Sequence, residues 1–498
     1  MKRSKFSLSH YKLLSQKMGI LVPISWYEAL PGDTIQMSTA ALIRCAPLVT
    51  PVMHPVHVRI HHWFVPNRII WDDWEKFITG GPDGMDATAH PYINFAAAPA
   101  VSSLADYMGI PTSFGTTTNL HVSALPFRAY ALIFNEWYRD QDLVTELALS
   151  KGNGADSTTN LTLANCAWEK DYYTSSRPWE QKGPTVTLPI AGNAPVTGIG
   201  VGSQTFAASG TYYETSGAQT WGHGNNASNP TFVKGSAASG GLPEIYADLS
   251  AVTGVDINTV RQAFALQRFE EARARYGSRY TEYLRYLGVR SSDARLQRPE
   301  YLGGGRQTIQ FSEVLQTSET GTSPQGNLAG HGISALRSNR FRRFFEEHGI
   351  VMTLMSVRPR TIYSNSLNRG FLRGLAVNGM SGTKEDYWQR ELQHIGQQEV
   401  NGLEVDVSAG DSSFGFQDRY DEYRRLESCV AGQFRTTLDN WHLARVFGSP
   451  PALNSTFVQC VPTTRVFADE TDDNLYVMAQ HSVQARRLVS QVGTSMTF

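Results

Sequence analysis

Charge is scarce in this 498-residue chain: Asp, Glu, Lys and Arg make up 18% of it, against roughly 25% in an average globular protein. A disordered chain would show the opposite, with high charge and few aromatics, whereas Phe, Trp and Tyr here reach 11%. Cysteine is also scarce. Cys45, Cys166, Cys429 and Cys460 are widely spaced and form no C-x-x-C, which excludes a disulfide framework and suits thiols kept in a reducing compartment. Gly (43) and Pro (23) are too few for a collagen-like or low-complexity chain. No apolar run approaches the roughly 18 residues of a membrane span. The one apolar stretch near the N-terminus, 19–24, is short and contains Pro23, so neither a signal peptide nor membrane insertion is expected.

Net charge is nearly absent too, at −1, which excludes strong electrostatic binding of nucleic acid by the chain as a whole. The distribution is uneven, however. Lys2, Arg3, Lys5, Lys12 and Lys17 precede the first acid, Glu28. Residues 1–30 therefore read as a basic N-terminal arm, either solvated or touching phosphate.

Catalytic signatures are missing as well. There is no phosphate-cradling G-x-x-x-x-G-K-[ST], and the run around Ser381 misses G-x-S-x-G by one residue. His54, His57, His61 and His62 lack metal-ligand spacing, and Arg59 stands between two of them. They read as hydrogen-bonding groups of a subunit contact, where partly buried histidines would respond to pH. Asp469, Glu470, Asp472 and Asp473 read as a solvated turn, with calcium as the alternative. Glu180 and Glu244 could be imagined as a glycosidase pair, but a sequence gives no separation between them. No enzyme, catalytic residue, resident metal or cofactor is expected.

What is present is alternation. Residues 33–45 put Ile35, Met37, Thr39, Ala41 and Ile43 on one face; residues 56–65 put Val56, Val58, Ile60, His62 and Phe64 on one face and His57, Arg59, His61 and Trp63 on the other. Residues 350–357 are apolar on both sides, as in a strand buried on both faces. Residues 456–467 and 475–489 read as two late strands joined by the acidic turn. Helical spacing interrupts the strands. Pro126 opens a helix with Phe127, Tyr130, Ala131, Phe134 and Tyr138 on one face. Asp256 caps another with Ile257, Val260 and Phe264, Tyr280 to Leu287 form a stripe closed by Gly288, and Phe416, Tyr420 and Tyr423 form a short one. Such stripes are expected to be core. Residues 191–241 hold 11 glycines, two formal charges and scattered aromatics, and read as an ordered surface excursion.

Arginine interleaves with tyrosine between 261 and 306 and again near 417–425. These are interface residue types. Arg295, Arg298, Tyr301, Tyr420, Tyr423, Arg424 and Arg425 are the candidate inter-subunit contacts, and Lys2, Arg3, Lys5, Lys12 and Lys17 the candidate DNA contacts.

Several blocks then become recognisable in order: Leu30-Pro31-Gly32-Asp33-Thr34, Phe64-Val65-Pro66-Asn67-Arg68, Leu125-Pro126-Phe127-Arg128, Asn135-Glu136-Trp137-Tyr138, Arg177-Pro178-Trp179, Arg298-Pro299-Glu300-Tyr301, Tyr420-Asp421-Glu422-Tyr423, and Leu438-Asp439-Asn440-Trp441-His442. Together they resemble the major capsid proteins of the Microviridae, on the gokushovirus side. The resemblance implies a mainly β fold, a single eight-stranded antiparallel jelly roll (residues 31–498) with large helical and loop insertions. It also implies self-assembly into a T=1 icosahedral shell around a circular single-stranded DNA genome in a bacterial host. The 191–241 insertion would stand at three-fold protrusions and meet a host cell-surface receptor. A small basic DNA-binding protein and a minor or pilot protein would be partners. The alternatives are a lectin-like jelly-roll carbohydrate-binding protein and a carbohydrate-active enzyme on a β-sandwich.

Overall fold

The structure is a computed structural model. It describes residues 3–113, 119–179, 181–184, 186, 196–197, 246–247, 257–277, 279–289, 292–315, 328–364, 366, 397–401, 413–418, 421–448 and 451–489. Residues 1–180 with 274–498 form one compact unit, and residues 181–273 a second.

The first unit is built on ten strands: β1 (Ser4–Ser7), β2 (His10–Gln16), β3 (Val22–Ala29), β4 (Thr34–Cys45), β5 (Val56–Pro66), β6 (Glu300–Leu315), β7 (Leu328–Arg337), β8 (Phe341–Phe344), β9 (Gly349–Pro359) and β10 (Leu475–Arg487). One sheet runs β2–β10–β4–β7; the other runs β3–β9–β5–β6. Successive strands hop between the sheets, and the last strand returns to lie between the second and the fourth. This is the eight-stranded jelly roll. β1 extends the edge strand β2 along β10, and β8 extends β7 along β4. β6 belongs to both sheets: its first half pairs with β5 and its second with β7.

The two faces follow from the alternation read in the sequence. Val56, Val58, Ile60, Ile35, Met37 and Ile43 are fully buried between the sheets with Val22, Ile24, Met355, Val357 and Val477. Each such side chain contributes about 1.5–3 kcal/mol by leaving water. β9 is buried on both faces, as its apolar run requires. Its outward residues Ile350, Met352 and Leu354 join Trp63 and Val65 in a second core under α1 (Asn67–Ile70), α2 (Leu104–Met108) and α3 (Leu125–Ile133). These helices come from the 67–299 insertion between β5 and β6. α3 begins with Pro126 in its first turn and runs on as a wider turn over Phe134–Tyr138.

Four expectations differ. Residues 456–467 are no strand: Asn454 caps a single helical turn, Ser455–Val458, and irregular chain containing Pro462 follows. Phe416 lies in a strand, Ser413–Asp418, because Arg177 pairs with it, while Tyr420 lies outside the described residues. The helix Ile257–Tyr276 forms, but Ile257 and Phe264 are 67% and 63% exposed, so that stripe is not core within this chain. Finally, residues 4–29 are not a free arm but β1, β2 and β3. Lys5 lies in β1 and Lys12 in β2, and basic residues so spaced suit short edge strands and arms equally in one dimension.

Candidate interaction site

Three of the recognisable blocks hold buried polar contacts, and two blocks meet directly. Asp33, fully buried in the β3–β4 turn, accepts from the Leu30 N–H and pairs with Arg487 Nε at 2.9 Å. Gly32 takes φ +84°, the left-handed region that a side chain would strain. Arg128 and Asp156 are a fully buried ion pair at 2.9 Å, and Arg128 also donates to the Ile70 and Gly152 carbonyls. Trp137 donates to the Pro299 carbonyl, and the Arg298 guanidinium stands 4.4 Å over its ring.

Beside this junction a pocket of about 440 Å³ opens on the outward face of the β3–β9–β5–β6 sheet. Arg59, Trp63, Trp137, Tyr138, Tyr301 and Arg358 give it a cationic, aromatic lining. Tyr138 bridges His61 at 2.7 Å and the Trp63 indole N–H at 3.1 Å. Arg59 pairs with Glu169. Arg358 donates to the Ala167 carbonyl at 2.6 Å. At the rim, Asp140 pairs with Lys170 and Arg177. Burial works to raise the Asp140 carboxyl, but Lys170 and then Arg177 outweigh it and hold it below the usual range. The alternation put His57, Arg59, His61 and Trp63 on this outward face; Trp137, Tyr138 and Arg358 reach it only through tertiary folding.

His54, His61 and His62 bond inside the chain, against their reading as pH-responsive subunit contacts, while the partly exposed His57 meets Thr308. His62 bridges Thr353 and Ser338, His481 bridges Thr39 and the Ile24 carbonyl, and His54 meets the Arg360 carbonyl. Burial pushes His54 and His61 down to about 4, and His62 and His481 to about 3. All four stay neutral through the physiological range. In the acidic turn, Asp469 accepts from Thr471 and Asp473 from Ser15 and Ser102.

The other candidates divide by exposure. Arg295 and Arg425 are exposed, and Tyr301 is 48% and Tyr423 46% exposed. Arg298 is buried against Asp293 and Trp137, so its charge is spent within the chain. Arg424 and Arg425 pair with Asp421. Of the basic N-terminal residues, Arg3 and Lys5 are exposed. Lys12 donates inward to the Pro23 and Tyr107 carbonyls, and burial lowers it to about 8. Lys17 donates to the Thr471 carbonyl, and Lys2 lies outside the described residues, as do residues 191–241 apart from 196–197.

A jelly roll with long insertions, and no catalytic grouping among the described residues, leaves the comparisons with known proteins to decide. The family model described as capsid protein (F protein) matches residues 1–497. The chain belongs to this family of capsid proteins. It is 40% identical over 484 residues to capsid protein VP1 of Bdellovibrio phage phiMH2K, covering 92% of this chain and 88% of that one. It is 34% identical to capsid protein VP1 of Chlamydia phage 1, with 94% and 91% covered, and 32% identical to that of Spiroplasma virus 4, with 92% and 87% covered. The resemblance to gokushovirus-type major capsid proteins of the Microviridae therefore holds over nearly the whole chain. Members are structural proteins of the phage virion, not enzymes. Among the described residues no helix is long and apolar enough to cross a membrane.

Proposed function

We propose that this capsid subunit assembles with copies of itself into a T=1 icosahedral shell enclosing a circular single-stranded DNA genome. The observation that carries the reading is the end-to-end family match, supported by a jelly roll in which one sheet is sheathed by insertions. A closed shell needs several different contact patches on one chain. Exposed Arg295, Tyr301, Tyr423 and the Ile257/Phe264 stripe are suited to that role. Residues 191–241 are proposed as a surface insertion that meets the host receptor. Arg3 and Lys5, with Lys2, are proposed to face the genome, aided by a small basic protein. A minor or pilot protein completes the virion, and assembly takes place in the bacterial cytoplasm.

Negative-stain microscopy of the full chain, expressed alone and with the neighbouring viral genes, tests the reading. Uniform small icosahedral particles are expected. A chain that stays monomeric, or a small oligomer with glycan affinity, overturns it in favour of a lectin-like protein.

A further inference from the structure

The outward face of the β2–β10–β4–β7 sheet lies on the side of the sandwich opposite α1 and α3, which pack on the other sheet. Which residues stand on it follows from the register, because directly paired antiparallel residues point the same way. Ile35, Met37, Ile43, Val477 and Ala485 are buried inward, so their neighbours along each strand point out. Lys5, Arg486 and Phe344 share one outward row through Thr34. Arg342 stands in the next row through Gln36, Arg337 and Tyr11 share a third, and Arg44 and Tyr476 pair directly at the far end. Arg3 joins them by placing its guanidinium 5.0 Å over the Phe344 ring.

Two features set this face apart. The first is sign. Strands β1, β2, β4, β7, β8 and β10 contain no Asp or Glu at all, in a chain where these number 45 of 498. The second is the lack of internal neutralisation. Arg3, Lys5, Arg44, Arg337, Arg342 and Arg486 are exposed and make no ion pair among the described residues. By contrast, the inward-pointing Arg343 and Arg487 have Glu300 and Asp33. Lys5 lies directly across from Arg486, and like charges so placed are destabilising until an anion joins them. Among these cations Tyr11 (66%), Tyr476 (50%) and Phe344 (44%) are exposed.

We propose that this face is a binding surface for single-stranded nucleic acid, its cations taking the phosphates and its rings stacking with bases. Rows on one face repeat about every 6.6–6.8 Å along a strand, a spacing an extended single strand can follow, and the pairing of cations with rings gives binding without sequence preference. Arg337 and Arg342 fall in the basic run 337–343, but only strand register brings Arg44 and Arg486, distant in the chain, to the same face. The inference rests on the reading that the shell holds a single-stranded genome and deepens it by naming the surface.

The test uses the purified full chain before assembly and a labelled thirty-nucleotide oligo-dT, with fluorescence anisotropy at several salt concentrations. The R337Q/R342Q/R486Q variant should bind at least about tenfold more weakly near 0.1 M salt, and the slope of log K against log salt should shrink by about two, at ~0.7 per phosphate contact. Y11A/Y476A should weaken binding about fivefold or more with the slope unchanged. The control R285Q/R306Q, with exposed arginines removed elsewhere, should bind like the parent, and all variants should melt like the parent. Parent-like binding by both face variants, with loss in the control, overturns the surface and spares the genome reading. A parent chain that ignores oligo-dT even at low salt overturns both. Displacement of oligo-dT by polyglutamate at equal charge would assign the face to an acidic protein segment and likewise overturn the proposal.

Discussion

Arg128 and Asp156 show what a single recognisable residue does here. Both side chains are about 1% exposed, and every oxygen and nitrogen around them is engaged by neighbouring carbonyls, amides or Thr159. Removing one partner strands a buried charge. R128A should therefore cost about 3–5 kcal/mol, whereas replacing both residues by apolar ones of similar volume should cost far less; urea unfolding of the unassembled chain measures both. The buried histidines give a second residue-scale expectation. His62 and His481 are held neutral down to about 3 in the fold, but an unfolded histidine takes a proton near 6.5. Below that value the unfolded chain binds more protons than the folded one, so stability falls as pH drops from about 6.5 towards 3. Each such histidine adds up to about 1.4 kcal/mol per pH unit. H62Q should flatten this dependence in pH-resolved melting curves, and an unchanged curve would contradict the assignment.

At the level of elements, strands were more legible than helices. A period of two survives any tertiary arrangement, because successive side chains must point to opposite faces. Thus β4, β5 and β9 and their buried faces agree with the sequence reading. The helix Ile257–Tyr276 also forms, but periodicity identifies a stripe, not what covers it, and its apolar side is exposed within the chain. The two misread segments failed for different reasons, one local and one tertiary. Asn454 stops an extended run with a cap, and Ser413–Asp418 is held extended by backbone bonds with Gln397–Asn401 and Arg177. Arg177 is remote from this strand in sequence.

Across the whole molecule, residues 181–273 form a compact unit separate from the one that holds the sandwich. Deleting residues 191–241 and joining the ends with a short Gly/Ser linker should leave a soluble chain whose cooperative melting is within a few degrees of the parent. An insoluble product would show that the excursion is needed for folding. The same deletion should abolish host adsorption while leaving particles intact, which separates attachment from assembly.

By itself the sequence determined β4, β5, β9 and β10, the inward faces of β4 and β5, and the capsid resemblance, because these depend on alternation and contiguous blocks. Only the tertiary structure decided which charges are spent and which are available. Lys12 and Arg298 are consumed internally, whereas Arg44, Arg337, Arg342 and Arg486 are gathered from four strands onto one face whose strands carry no Asp or Glu, with Asp473 reaching only its Arg44 end through Ser15. The reason is physical: a side chain's partner is set by strand register across hundreds of residues, and no local pattern encodes that register.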